Sequence, residues 1–204
     1  ADVVALCDTN GGMLPGWVAD VVHDVVDTTG VRVGIHCHND TGCAVANTLA
    51  AVDAGATHVQ GTINGYGERT GNCNLTTIIP NLTLKMGIDT IPADRLERLT
   101  SVAHHVAELV NMALNPQAAY VGDSAFAHKA GLHMSAIAKR PDAYEHVPPD
   151  SVGNGTRFVV SELAGRSTIV LKAKELRLDL DGPQVNDIVD TLKHPGGQCA
   201  ELYP

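Results

Sequence analysis

The chain has 204 residues, with 14 Lys and Arg against 23 Asp and Glu and a formal net charge of −9. That acidic balance argues against nucleic acid and anionic membrane surfaces as partners, because both need an excess of Lys and Arg to meet phosphates; an aromatic content of 3% argues against base-stacking platforms. No run reaches the length of a membrane span, and no basic segment leads into an apolar core as in a signal peptide, so a cytoplasmic location is expected.

Val3 to Thr9 (VVALCDT) is apolar, then polar, and reads as a buried strand that stops at Asp8. A glycine-containing loop, NGGMLPG, follows. From Trp17 to Val26 the valines recur at helical spacing, and Gly30 ends that helix. Arg32 to His38 (RVGIHCH) reads as a second strand. Thr41 is the expected N-cap of a helix running to about Asp53, closed by Gly55. His58 to Ile63 is a third strand, which leads through Asn64-Gly65-Tyr66-Gly67 to a helix from about Asn72 to Lys85. Repeated βα units with short connections predict a parallel sheet with helices outside, either doubly wound or a TIM barrel. Only three units are present, whereas a closed barrel takes eight and about 250 residues.

The alternation stops at Pro92. Arg95 to Leu114 reads as one helix, interrupted near Asn115-Pro116. Shorter helices are expected over Ala130 to Ala138, Leu163 to Leu176 and Pro183 to Leu192, before the breaker cluster His194-Pro195-Gly196-Gly197. The expected division is therefore an α/β part over 1–91 and a mostly helical part over 92–204.

The strand ends carry the polar residues, and in parallel α/β folds that end carries the chemistry. His36 and His38 stand at i and i+2 of one strand, so both rings leave the same face and form half of a metal site, or two polar residues lining a barrel. Cys37, between them, points the other way and reads as packing. Asp8 can serve as ligand, base or loop-fixing acceptor. Gly65, Gly67 and Gly71 give G-x-G-x-x-x-G, which is not the dinucleotide fingerprint. Such a turn can still hold a phosphate or an acyl-CoA group near a helix N-terminus, with Gly65, Gly67 and Glu68 as candidate substrate contacts. Glu68 and Arg69 read as an ion pair bracing the loop, and Asn72 offers a hard oxygen ligand. His128 and His133 read as surface or helix-end residues. The five cysteines, Cys7, Cys37, Cys43, Cys73 and Cys199, form no C-x-x-C pair and read as reduced thiols.

Several stretches together resemble one family. They are LCDTNGG (Leu6 to Gly12), GIHCHND (Gly34 to Asp40), AVANTLAAVDAGATHVQGTINGYGERTGN (Ala44 to Asn72), YVGDSAFAHKAGLH (Tyr120 to His133), YEHVPPDSVGN (Tyr144 to Asn154) and SELAGRS (Ser161 to Ser167). The chain is similar to the metal-dependent Claisen-condensing acyltransferases of the 2-isopropylmalate, homocitrate and citramalate synthases, and LCDTNGG and VQGTINGYGER resemble the citramalate branch.

The resemblance implies a TIM barrel followed by a helical linker or lid subdomain, with acetyl-CoA and a 2-oxo acid as substrates. In the citramalate branch that acid is pyruvate, on a route to isoleucine. It also implies a divalent metal cation (Mn, Zn, Co or Mg) held by His36, His38 and Asn72, with Thr9 hydrogen-bonded to the 2-oxo acid. His133 and Tyr144 match acid–base residues of a linker that reaches over the neighbouring subunit's site, so a homodimer is expected. One departure is clear. The family's Arg-Asp-Gly motif, which supplies a further metal ligand, does not occur here. The chain therefore resembles an internal portion, about barrel strands six to eight plus the linker, and is expected to be inactive by itself. The rival readings are a 2-isopropylmalate synthase, a 3-hydroxyacyl-CoA lyase on the same barrel, or an inert fragment or interaction module. The lyase reading suffers because Tyr66, Glu68 and Arg69 stand where a catalytic Cys is expected.

Overall fold

A computed structural model describes residues 1–128, 140–158 and 165–193. The chain divides into two compact units, one of Ala1–Leu114 with Ala119–Val121 and the other of Asn115–Ala118 with Gly122–Pro204.

The first unit is built on β1 (Val4–Asp8), α1 (Pro15–Thr29), β2 (Val33–Cys37), α2 (Ala44–Asp53) and β3 (His58–Gln60). A 3₁₀ turn (Ile63–Gly65), α3 (Leu75–Pro80), a π-helical turn (Asn81–Lys85), α4 (Ala93–Leu96) and α5 (Leu99–Leu109) complete it. The strands lie in the order β1-β2-β3, all parallel. This is the expected α/β arrangement.

Register decides which residues share a face. Cys7 pairs with His36, and His36 with Gln60; Leu6 pairs with Ile35, and Ile35 with Val59. Side chains alternate along a strand, so the Cys7–His36–Gln60 row and the Leu6–Ile35–Val59 row leave opposite faces. The second row meets the helices. There Val33, Ile35 and Cys37 pack with Val18 and Val22 of α1 and Ala44 and Ala51 of α2. Helix α1 buries Val18 and Val22, four residues apart on one face, and ends at Gly30 in the left-handed conformation (φ 64°). The sheet's other face is left to the polar row.

Four local expectations are corrected. Thr41 does not cap α2. Its hydroxyl donates to the Gly11 carbonyl (3.1 Å), and Asn39 Oδ1 instead accepts the Ala44 N–H (3.1 Å). Strand β3 stops at Gln60; beyond it the Thr62 N–H turns to the Cys73 carbonyl (3.0 Å), and at Gly61 a Cβ would collide with that same carbonyl. The helix after the glycine loop starts at Leu75 under an Asn74 cap, which accepts from Thr76 N–H (3.0 Å), and changes to a π turn after Pro80. The long helix expected from Arg95 is two, α4 and α5, parted at Glu97-Arg98.

In the second unit β4 (Ala127–His128) and β5 (Arg157–Phe158) form a short parallel pair. Helices α6 (Arg166–Glu175) and α7 (Gly182–Lys193) pack through Ile169, Val185 and Val189. The helix expected over Ala130 to Ala138 lies outside the described residues. No described helix is long and apolar enough to cross a membrane.

Candidate active site

Strand β2 carries His36 on the polar face and ends just before His38, whose ring stands edge-on to it, with centroids 5.2 Å apart and planes at 73°. The segment after β3 then folds back along the end of β2 as a strap. Asn39 N–H donates to the Gly71 carbonyl (2.9 Å), Cys73 N–H to the Cys37 carbonyl (2.9 Å) and Thr62 N–H to the Cys73 carbonyl (3.0 Å). This strap puts Asn72 in an antiparallel bridge with His38.

The Asn72 amide is oriented from behind. Its Nδ2 donates to the Tyr66 carbonyl (3.2 Å), which commits the nitrogen and leaves Oδ1 as the free lone-pair donor. Asn72 Oδ1 and His38 Nδ1 are both buried and lack a hydrogen-bond partner. Native proteins seldom leave such atoms unsatisfied, since each costs about 1–3 kcal/mol. Asn47 Oδ1 and Asn64 Oδ1 are in the same condition, but His38 and Asn72 are set side by side by the bridge. Asn72 is bridged to His38, and the His38 ring meets that of His36; an amide oxygen and two imidazoles are donor types that suit a divalent cation. His36, His38 and Asn72 therefore fit a metal, although the described residues contain no cluster of three His, Cys, Asp or Glu side chains that could hold one.

The loop glycines serve this packing. A Cβ on Gly67 would run into Asn72 Nδ2, and a Cβ on Gly71 (φ +98°) would run into the Gly65 carbonyl. The N–H groups of Gly65, Tyr66, Gly71 and Asn72 donate to Thr62, Ile63, Glu68 and Gly65 carbonyls within the loop. Asn64, at φ 60°, ties the turn to α5 by donating from Nδ2 to the Ala103 carbonyl (2.8 Å).

The bracing ion pair differs from the expected one. Arg69 is 3.8 Å from Glu68, whose side chain is 84% exposed, but grips both carboxylate oxygens of Asp40 with one edge of its guanidinium. Nε donates to Asp40 Oδ1 (2.7 Å) and Nη2 to Oδ2 (2.9 Å), while Nη2 also donates to the Thr9 carbonyl (2.8 Å). That hydrogen-bonded guanidinium holds the Asp40 carboxyl below the usual carboxylate range. Adjacency in sequence suggested Glu68; the one available signal for Asp40 was an unpaired acid directly after the histidine strand.

At the end of β1, Asp8 is buried and braces the loop. Its Oδ2 accepts the Met13 N–H (3.2 Å), and its carbonyl accepts the N–H of Gly11 and of His38 (both 3.2 Å). Thr9 is exposed. A cavity of about 400 Å³ lined by Asp8, Thr9, Leu6, Met13, Val18 and Ile35 lies beside β1; His36, His38 and Asn72 are not among its walls. Cys37 and Cys73 are fully buried, and burial pushes their thiols up to about 12 and about 11, so both act as packing groups. Cys7, Cys37, Cys43 and Cys73 are all free.

In the second unit Tyr144 is 43% exposed. Its neighbour Glu145 is buried, accepts from the Thr156 hydroxyl (2.5 Å) and lies 3.6 Å from His128 Nε2. His128 is thus a partly buried member of an acid–imidazole pair, with 11% side-chain exposure, and not the surface or helix-end residue expected. The His146 ring stacks on Phe126 at 5.9 Å. His133 lies outside the described residues.

A parallel βα sheet with paired histidines at a strand end, faced by an asparagine strap, agrees with what sequence comparison finds. Residues 1–109 match the HMGL-like family, and residues 120–198 match the homocitrate synthase post-HMGL domain-like family. The chain belongs to the HMGL-like family. Within it, the chain is 56% identical over 195 residues to the (R)-citramalate synthase of Streptomyces coelicolor, covering 95% of this chain and 36% of that protein. It is 52% identical to the (R)-citramalate synthase of Aquifex aeolicus, covering 95% of this chain and 37% of that one. It is 39% identical to a probable 2-isopropylmalate synthase of Methanopyrus kandleri, over 96% of this chain and 39% of that one. The chain thus spans well under half the length of these curated relatives.

Proposed function

We propose that this chain supplies the metal- and keto-acid-binding part of a citramalate synthase, which condenses acetyl-CoA with pyruvate to citramalate and CoA. The observation that carries this reading is the pair of buried, unpartnered atoms, His38 Nδ1 and Asn72 Oδ1, beside His36 at the strand ends. In this reading the three parallel strands are consecutive strands of a (β/α)8 barrel, about the sixth to eighth. The second unit belongs to a linker that serves a neighbouring subunit in a homodimer.

His36, His38 and Asn72 hold the divalent cation, which when bound supplies Lewis-acid polarisation of the keto group. Thr9 hydrogen-bonds the keto acid and orients it at the end of β1. Gly65, Gly67 and Glu68 line the approach of the acyl-CoA. Tyr144 and His133 carry the protons. One takes a proton from the acetyl methyl group, so that the enolate carbon attacks the keto carbon, and the other delivers a proton to the new alkoxide. Hydrolysis of the thioester then frees CoA.

The test replaces the matching 195-residue span of the Streptomyces coelicolor enzyme with this chain and measures CoA release with Mn²⁺, comparing pyruvate with 2-oxoisovalerate. Pyruvate-dependent release, abolished by His38→Ala, is expected. Release with 2-oxoisovalerate and not pyruvate assigns the isopropylmalate reaction instead. A folded chimera that releases CoA with neither acid overturns the proposal. The isolated 204-residue chain is expected to release none.

A further inference from the structure

Arg69 is the side chain that ties the three strand ends together. It stands three residues before Asn72, on the strap after β3. Its guanidinium grips both carboxylate oxygens of Asp40, two residues after His38, at 2.7 and 2.9 Å. The same Nη2 reaches the carbonyl of Thr9, at the end of β1, at 2.8 Å. Each tied point is a candidate site residue or lies within three residues of one.

Two features show that the arrangement is built rather than incidental. Arg69 sits at φ 56°, a left-handed conformation that side-chain-bearing residues adopt at a cost and that glycine adopts freely. The turn alone therefore asks for glycine; the arginine is explained by what its side chain reaches. On the other side of the clamp, Gly11 (φ +66°) leaves no room for a Cβ, which would collide with Asp40 Oδ2. The Gly11 carbonyl also accepts both the Thr41 N–H and the Thr41 hydroxyl, each at 3.1 Å. Asp40 is thus held between the Gly11 backbone and the Arg69 fork. A planar, bidentate fork fixes direction as well as distance, which the point charge of a lysine does not.

We infer that Arg69 and Asp40 are a positioning pair that sets the donor geometry of the His36–His38–Asn72 metal site. The inference rests on the metal reading above. Arg69 and Asp40 are partly exposed, with 43% and 25% side-chain exposure, and such pairs add little to folding stability. Their effect should therefore appear in metal affinity and geometry, not in the melting temperature.

The experiment titrates the chimeric enzyme described above with Mn²⁺, followed by the paramagnetic resonance of the free ion, and with Co²⁺, followed by its visible absorption. The variants are Arg69→Lys, Arg69→Gly and Asp40→Asn. Arg69→Gly relaxes the backbone while removing the side chain, and Asp40→Asn keeps the shape and removes the charge, so at least one variant should retain the fold. We expect each to lower Mn²⁺ affinity by about tenfold to a hundredfold, as for other groups that orient metal ligands. The Co²⁺ spectrum should change, and melting should stay nearly unchanged. The double variant Asp40→Asn with Arg69→Lys should lose no more than the weaker single variant. Native affinity and a native Co²⁺ spectrum in the folded variants overturn the inference while leaving the metal reading intact. A folded chimera with native Arg69 and Asp40 that binds neither ion overturns the metal reading and this inference with it.

Discussion

Replacing Gly67 by Ala separates the proposed site from the fold that carries it. The added methyl meets the side chain of Asn72, first Nδ2 and then Cγ at 2.9 Å, while the nearest backbone atom, Asn72 N, stays at 3.4 Å. The backbone at Gly67 is therefore not forced to move; the Asn72 amide is. Swinging it aside breaks its hydrogen bond to the Tyr66 carbonyl (3.2 Å), a loss of about 1 kcal/mol. For a domain of this size that lowers the melting temperature by about 2–4 °C. The metal site loses more. One of the three proposed ligands is turned away, so Mn²⁺ affinity should fall by at least about tenfold, ~1.4 kcal/mol. Gly71→Ala is the control with the opposite balance. Its φ of +98° and the Gly65 carbonyl in the way of its Cβ put the strain into the backbone, about 1–2 kcal/mol for the left-handed conformation before any displacement. Thermal melts and Mn²⁺ titrations on both variants decide the matter. Native Mn²⁺ affinity in a folded Gly67→Ala chain, or a larger loss of stability in it than in Gly71→Ala, refutes the reasoning.

Ile78, on α3, is 1% exposed in the core of the first unit, so Ile78→Ala should lower unfolding stability by about 2–5 kcal/mol in urea titrations. A thiol reagent followed by peptide mass mapping should label the exposed Cys7 and spare Cys37 and Cys73. Raising the pH to 9 should not unmask that pair, since their thiols remain protonated up to about 12 and about 11. Glu145→Ala removes the acceptor of the Thr156 hydroxyl and the partner of His128, and should cost about 1.5–3 kcal/mol, seen as faster amide exchange through β4 and β5. In the chimeric enzyme, Tyr144→Phe and His133→Ala should each reduce kcat by about 10²–10⁴-fold while leaving Mn²⁺ binding unchanged; if neither lowers turnover, their roles as proton carriers are wrong.

Strand and helix were legible wherever one local pattern sufficed. RVGIHCH has a buried row of Val33, Ile35 and Cys37, and the i, i+2 spacing of His36 and His38 puts both rings on the opposite face, where they meet edge-on; VVALCDT, expected as a buried strand, is an edge strand that leaves Val4 and Cys7 exposed and buries only Asp8. The pattern failed where a distant partner overrode it. Thr41 has the chemistry of an N-cap, but the Gly11 carbonyl, thirty positions away in sequence, takes its hydroxyl. The helix after Asn72 loses its regular ladder at Pro80, which has no N–H to donate. The bonds then slip by one residue, as Met86 N–H reaching the Asn81 carbonyl shows (3.1 Å). The Arg69–Asp40 pair was invisible for the same kind of reason. Only the left-handed turn at Arg69 aims the side chain away from its neighbour Glu68 and toward the loop after β2.

Asn72 shows what the structure adds to residue type. In sequence it is an asparagine after a glycine, in a turn where asparagine is common for purely conformational reasons. Its amide could present either end to the site, and only the oxygen can meet a cation. The Tyr66 carbonyl settles which end faces inward, because it can only accept and so must take the nitrogen. Gly67 keeps that orientation open by lacking a Cβ, and the strap's bonds to Asn39 and Cys37 place the oxygen's residue beside His38. A chain with the same histidines and asparagine but a bulkier residue at position 67 would keep the motif and lose the lone pair that gives it a purpose.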